Sequence, residues 1–190
     1  QDRHEVNKEI RIADLLQNVA SYSGNVATPV TKWDNTTEID KIIEGYKDQV
    51  GNSVGRQPNI MMVGDYVYNA AMKFNTALAS RLASTERTIL YPELLAQIFE
   101  VNEVVIGRGV YIDEAGVTQK LWGNAIVLAY VNPMNGRKVP TFARLFQKQG
   151  SPEVEKWFEK PTFHKYWVRD SFDIQITGPD AGFLVSNPVA

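Results

Sequence analysis

Apolar residues recur at helical spacing through the first half of the chain, and alternate or cluster as strands do in the second. Val6, Ile10, Ala13 and Leu16 or Gln17 lie three or four apart, which predicts a helix over residues 5 to about 18 with one apolar stripe. The turn formers Ser21-Tyr22-Ser23-Gly24-Asn25 end it. Residues 26–33, interrupted by Pro29, read as an extended connector with Trp33 as an anchor at its end. In the next helix Ile39, Ile42, Ile43, Tyr46 and Val50 form one face. Thr36 or Thr37 is placed to cap it, Glu38 and Asp40 stand where the helix dipole favours acids, and Gly51 to Gly55 close it. After Pro58-Asn59, the run Ile60-Met61-Met62-Val63-Gly64 is too short and too apolar for an exposed helix and predicts a buried strand. Asp65 then caps a helix carrying Val67, Ala70, Ala71 and Phe74, which trails into a polar segment from Thr76 to Thr88. A short helix starts at Pro92, where the missing N–H costs nothing, and buries Leu94, Leu95, Ile98 and Phe99.

From Glu103 onward the period is that of strands. Glu103-Val104-Val105-Ile106-Gly107 and Val110-Tyr111-Ile112 flank Gly109, and Asp113-Glu114-Ala115-Gly116 suits a hairpin tip. Ala125 to Val131 is the strongest strand candidate, closed by Asn132-Pro133 and the turn Asn135-Gly136. Phe172, Ile174 and Ile176 alternate with Asp173 and Gln175, as in a strand with one wet face. Helix, strand, helix, helix, then mainly strands is an α+β order, and no fixed-period repeat is visible.

At 190 residues with 44% hydrophobic content, the chain is long enough to bury one large core or two small ones. Its 20 basic and 22 acidic residues are interspersed, which argues against a dedicated nucleic-acid reader. No run of about 18 apolar residues is present, so no membrane partner is expected. With no cysteine, disulfides, thiolate nucleophiles and thiolate metal sites drop out together. The chain opens at Gln1 without an initiator methionine, and its first residues read as the middle of a helix. The expectation is a fragment or processed product with N-terminal sequence missing.

Groups able to do chemistry lack the company that chemistry needs. His4 and His164 are far apart, and neither has a second ligand at helical spacing, so no metal or other cofactor is expected. The carboxylate pairs Asp113 with Glu114, Glu153 with Glu155 and Asp170 with Asp173 sit in turns or among solvated charges, where nothing separates their pKa values. Serines in Ser21-Tyr22-Ser23-Gly24 and Ser80 lack the Gly-x-Ser-x-Gly elbow. Gly107-Arg108-Gly109 leads into strand-like residues, whereas a phosphate loop needs a helix N-terminus. In Phe163-His164-Lys165-Tyr166-Trp167-Val168-Arg169 the rings are expected to pack, leaving Lys165 and Arg169 in solvent. No catalytic residue is assigned, and the chain reads as a building block, not an enzyme.

The order of these pieces resembles that of tailed-phage and prophage major capsid proteins of the Hong Kong 97 type. The resemblance is carried by the helix at 37–50, Pro58 to Gly64, the helix from Asp65, Leu94 to Val101, Val104 to Gly107 with Tyr111, Leu121-Trp122-Gly123-Asn124, Tyr130-Val131 and the segment 172–187. It implies an α+β fold in which residues 26–155 form an axial domain. Residues 1–25 would be the end of a peripheral-domain helix and a connector, and 156–190 the return to the peripheral domain. The N-terminal arm and extended loop of the family have no counterpart in this chain.

The implied role is a structural subunit that associates with itself into hexamers and pentamers. These would close an icosahedral head around double-stranded DNA, held without sequence specificity. Scaffolding, portal or decoration proteins are the further partners implied. The location implied is the virion capsid, and the bacterial host cytoplasm during assembly. Trp33, Trp157 and Trp167 are candidate subunit contacts, the plain alternative for each being core packing. Two other readings are an encapsulin-like compartment shell and an unrecognised small-molecule enzyme, which would need a pocket gathering titratable groups.

Overall fold

A five-stranded sheet organises the first 130 residues and the last ten around one another. The computed structural model describes residues 2–82, 89–113, 115–134, 139–159 and 163–190. Helix α1 (Asp2–Gln17) leads through a 3-10 turn to β1 (Val26–Ala27), and then come α2 (Ile39–Val54), β2 (Ile60–Gly64) and α3 (Asp65–Val67). After a π turn (Tyr68–Met72) come α4 (Thr76–Ala79), α5 (Pro92–Ile98), β3 (Glu103–Gly107), the hairpin of β4 (Val110–Ile112) and β5 (Thr118–Lys120), and β6 (Ala125–Ala129). The chain closes with β7 (Ala143–Gln147), β8 (Glu153–Glu159), β9 (Phe163–Arg169), β10 (Phe172–Ile176) and β11 (Gly182–Ser186). The main sheet runs β1-β11-β6-β2-β3, with β1 parallel to β11, β2 parallel to β3, and antiparallel pairs between.

Its central strands are apolar on both faces because both are covered. Met61, Val63, Ile126, Leu128, Phe183 and Val185 face one way, against Ile39, Ile43 and Val50 of α2 and Leu95 of α5. Met62, Val127 and Leu184, in register across three strands, face the other. There they meet two smaller clusters, one built on Tyr22, Phe142 and Ala181, the other on Ala13, Leu121 and Trp122. Tyr22 stacks on Phe142 with ring centroids 5.0 Å apart. Its hydroxyl donates to the Leu16 carbonyl at 2.6 Å, and burial pushes that hydroxyl's pKa up.

Beyond the sheet, β7 to β10 form a long two-stranded arm. β7 pairs with β10 and β8 with β9, both antiparallel. Between the two ladders residues 148–152 stand against 170 and 171, and Ser151 stitches the bulge, its hydroxyl donating to Asp170 Oδ1 at 2.6 Å and accepting from Ser171 N at 2.8 Å.

Several expectations shift. The connector at 26–33 contains a short strand, because Val26 and Ala27 find an open edge on β11. Neither Thr36 nor Thr37 caps α2. Both hydroxyls donate to Asp34 Oδ1 at 2.8 Å, and the helix starts one residue after Glu38, running on to Val54. Asp65 is the first residue of α3, not its cap, and the helix expected there breaks into three turns that leave Phe74 half exposed. The last strand, grouped from the sequence with the segment 156–190 apart from residues 26–155, is hydrogen-bonded between β1 and β6. The turn at Asn135-Gly136, Glu114 of the hairpin tip and the segment 83–88 lie outside the described residues.

Candidate functional site

Trp122-Gly123-Asn124 is the junction of the molecule. The Trp122 indole covers Gly107, the last residue of β3. A Cβ built on Gly107 would fall 2.2 to 2.6 Å from three atoms of Trp122, so the glycine is there to seat the ring. Gly64, its register partner on β2, has the Gly123 carbonyl oxygen 2.0 Å from where its Cβ would be. Trp122 Nε1 donates to Glu9 Oε1 on α1 at 2.9 Å. Gln17 closes the dock from the other end of α1, its Oε1 accepting from Gly123 N at 3.0 Å and its Nε2 donating to the Leu121 carbonyl at 2.9 Å. Asn124 holds the final segment, Nδ2 donating to the Val189 carbonyl at 2.7 Å and its own carbonyl accepting from Asn187 N at 2.7 Å. Glu9 escaped the sequence reading, and Gln17 entered it only as an alternative to Leu16 on the apolar stripe. The signal was a polar residue set on an apolar helix stripe.

The arm supplies the exposed aromatic surface. On β8 and β9, Val154 is 62% exposed, Tyr166 64%, and Trp157 and Trp167 44% each. The expectation that the rings of 163–169 pack is corrected for Tyr166 and Trp167, because no third strand pairs with this ladder among the described residues. Trp33 is placed oppositely. It is 5% exposed within the main core, its N–H donating to the Pro188 carbonyl at 2.8 Å, so it is removed from the surface candidates. At the arm's foot Asp170 is paired with Lys8 of α1 at 3.1 Å, and Lys8 and Arg11 lie over the Phe172 ring. Glu5, Lys8, Gln147, Pro152, Val154, Val168 and Asp170 enclose a cavity of about 450 Å³ between arm and helix.

The carboxylates are structural. Asp113 accepts from Val117 N and Ala115 N across its turn, Glu153 accepts from Lys148, and Asp170 from Ser151. These bonds hold all three acids below their ordinary range, the opposite of what a general acid at neutral pH requires. Asp65 is lowered in the same way by Lys120, with Asn69 and Arg108 beside it. Ser80 donates to the Ala77 carbonyl and Ser21 to that of Leu15. His164 lies on β9 in register with Phe158, and the side chain of His4 lies outside the described residues. Among the described residues no group of three or more His, Asp or Glu side chains is placed to hold a metal ion. Among the described residues no helix is long and apolar enough to cross a membrane.

No family model matches the chain. It is 29% identical over 191 aligned positions to the major capsid protein of Burkholderia phage BcepMu, an alignment covering 96% of this chain and 62% of that protein. Among solved structures, a phage-related protein from Bordetella bronchiseptica RB50 matches with a TM-score of 0.82 and 24% identity over 94% of this chain and 60% of that one. The virus-like particle from Pyrococcus furiosus matches with a TM-score of 0.54 and 14% identity, over 95% of this chain and 62% of that one. The chain thus spans less than two thirds of each relative's length. On these matches, an α+β chain with a doubly covered five-stranded sheet, a docked N-terminal helix and an exposed two-stranded arm is similar to a phage major capsid protein and has the Hong Kong 97-type fold.

Proposed function

We propose that the chain is a structural, non-catalytic subunit of a phage or prophage head. It self-associates into hexamers and pentamers that close an icosahedral shell around double-stranded DNA. The observation that carries this reading is the similarity to a phage major capsid protein along 96% of the chain. The disposition of polar groups supports it: acids and hydroxyls are spent on turns, caps and the helix dock, and the large exposed rings lie on an extended arm. In this reading the doubly covered sheet, with β11 included, is the axial domain, and α1 with the arm at 143–176 belongs to the peripheral one. Trp157 and Trp167 are the subunit contacts. Scaffolding, portal or decoration proteins would be further partners, the virion capsid the destination and the host cytoplasm the place of assembly.

The test is to express the longer reading frame and look for closed particles by electron microscopy and light scattering. Uniform shells are expected, and nucleic acid inside them identifies a head. Protein cargo would instead identify a compartment shell. Persistent monomers or dimers, even with the neighbouring head genes co-expressed, would overturn the proposal.

A further inference from the structure

One face of the ladder of β8 and β9 divides its charges by strand. Alternate residues of a strand share a face. One face of this ladder carries Val154, Lys156, Tyr166 and Val168, and its foot looks into the cavity shared with Glu5 and Lys8 of α1. The opposite face carries Glu153, Glu155 and Trp157 on β8 and Lys165, Trp167 and Arg169 on β9. Acids lie along one strand and cations along the other, with a tryptophan on each.

We propose that this face docks on the same face of a second copy of the chain, about a twofold axis running lengthwise between the two strands. The proposal rests on the reading of the chain as a self-assembling subunit, and charge complementarity selects both the occupant and the axis. Turning one copy over about that axis lays its β8 on the other's β9 at the same level. The register pairs Glu153 with Arg169, Glu155 with Trp167 and Trp157 with Lys165 then recur between copies, twice each by symmetry. Glu155 of each copy comes to lie over Trp167 of the other, between Lys165 and Arg169. Trp157 meets Lys165 as ring to cation. A twofold axis across the strands would instead stack acid on acid and cation on cation. The surface is two strands wide and, at about 3.4 Å per residue, far smaller than the roughly 800 Å² per partner of a stable complex. The contact is therefore weak alone and effective when a shell repeats it.

The charge pattern permits a mixing experiment on this chain, read by sedimentation up to about 1 mM protein. The wild-type chain is expected to dimerise weakly. Glu153→Lys with Glu155→Lys, and Lys165→Glu with Arg169→Glu, should each weaken dimerisation about tenfold or more, since each variant now opposes like charges. An equimolar mixture of the two should recover it, because the lysines at 153 and 155 of one copy then face the glutamates at 165 and 169 of the other, while the second half of the contact keeps its wild-type pairs. Misfolding cannot be rescued by mixing. A wild-type monomer at that concentration, variants that dimerise as wild type does, or folded variants that fail to recover on mixing would each overturn the proposal.

A second reading uses the absence of cysteine. Glu155→Cys should be captured as a dimer by a bismaleimide spanning on the order of 11 Å, the separation expected for sheets about 10 Å apart. Lys156→Cys, on the opposite face, should not, and equal capture of both would count against the contact. Shells of the longer protein without this contact defeat the proposal alone, whereas no shells at all defeat the reading it rests on.

Discussion

Trp122 Nε1 donates a 2.9 Å hydrogen bond to Glu9 Oε1 across 113 positions of sequence, and Gly107 lies under the same indole. One side chain therefore fixes α1 and the end of β3 together. Gly107→Ala should displace the ring and destabilise the chain by about 1–3 kcal/mol, the usual cost of overpacking a tight contact. Trp122→Ala should cost about 3–5 kcal/mol. Urea unfolding followed by far-ultraviolet circular dichroism measures both, and an alanine at 107 without effect would mean that the ring is not seated there.

Asn75 is fully buried and uses its whole amide. Its Oδ1 accepts from Leu78 N at 2.8 Å as the cap of α4, and its Nδ2 donates to the carbonyls of Ala71, Thr37 and Asp34 at 2.9 to 3.2 Å. Asn75→Ala is expected to cost about 2–4 kcal/mol, since it removes a cap and strands buried carbonyls at once. Asn75→Asp keeps the cap acceptor but loses the donors and buries a charge, so it should be no better tolerated. Thermal unfolding of the two variants side by side checks this.

The four tryptophans separate into two classes. Trp33 and Trp122 are buried and Trp157 and Trp167 half exposed. Trp33→Ala should cost about 3–5 kcal/mol, whereas Trp157→Ala and Trp167→Ala should leave the monomer within about 1 kcal/mol of wild type. Acrylamide quenching of single-tryptophan variants should reach 157 and 167 readily and 33 and 122 poorly.

Acid should destabilise the fold through carboxylates held in local hydrogen bonds. Thr36, through its hydroxyl and its N–H, and then Thr37 lower Asp34 from 3.8 to about 2, and Asp65, Asp113, Glu153 and Asp170 are lowered too. A carboxylate with a depressed folded-state pKa contributes stability that is present above its unfolded value and is lost as pH falls through the folded one. The thermal midpoint should therefore fall between about pH 4 and pH 2 and stay flat through neutrality. Asp34→Asn should flatten the acid limb. A midpoint that rises on acidification would contradict the assignment.

The sequence disclosed elements whose partners are near or whose burial is complete. α2 showed as one apolar face, β2 and β6 as runs too apolar for anything but a covered strand, and β10 by the alternation of Phe172, Ile174 and Ile176 with Asp173 and Gln175. What stayed hidden depended on distant geometry. Gln17 is unremarkable until Leu121 and Gly123 present a carbonyl and an N–H to it. Thr36 and Thr37 have the chemistry of helix caps, but Asp34 competes for both hydroxyls at shorter range. The strands β8 and β9 escaped because rings and charges occur on both faces, so no hydrophobic period marks them. For the same reason rings expected inside are outside.

The position of β11 in the main sheet bears on how the subunit comes into being on the ribosome. β11 separates β1 from β6, yet it is made more than 50 residues after β6 and more than 150 after β1. A nascent chain that already holds β2, β3 and β6 must wait with an apolar strand edge unpaired while the whole arm is translated. Vectorial folding therefore cannot complete this sheet, and the fold is finished only after residue 186 has emerged. For a chain that self-associates as proposed, translation itself would thus delay premature assembly on polysomes.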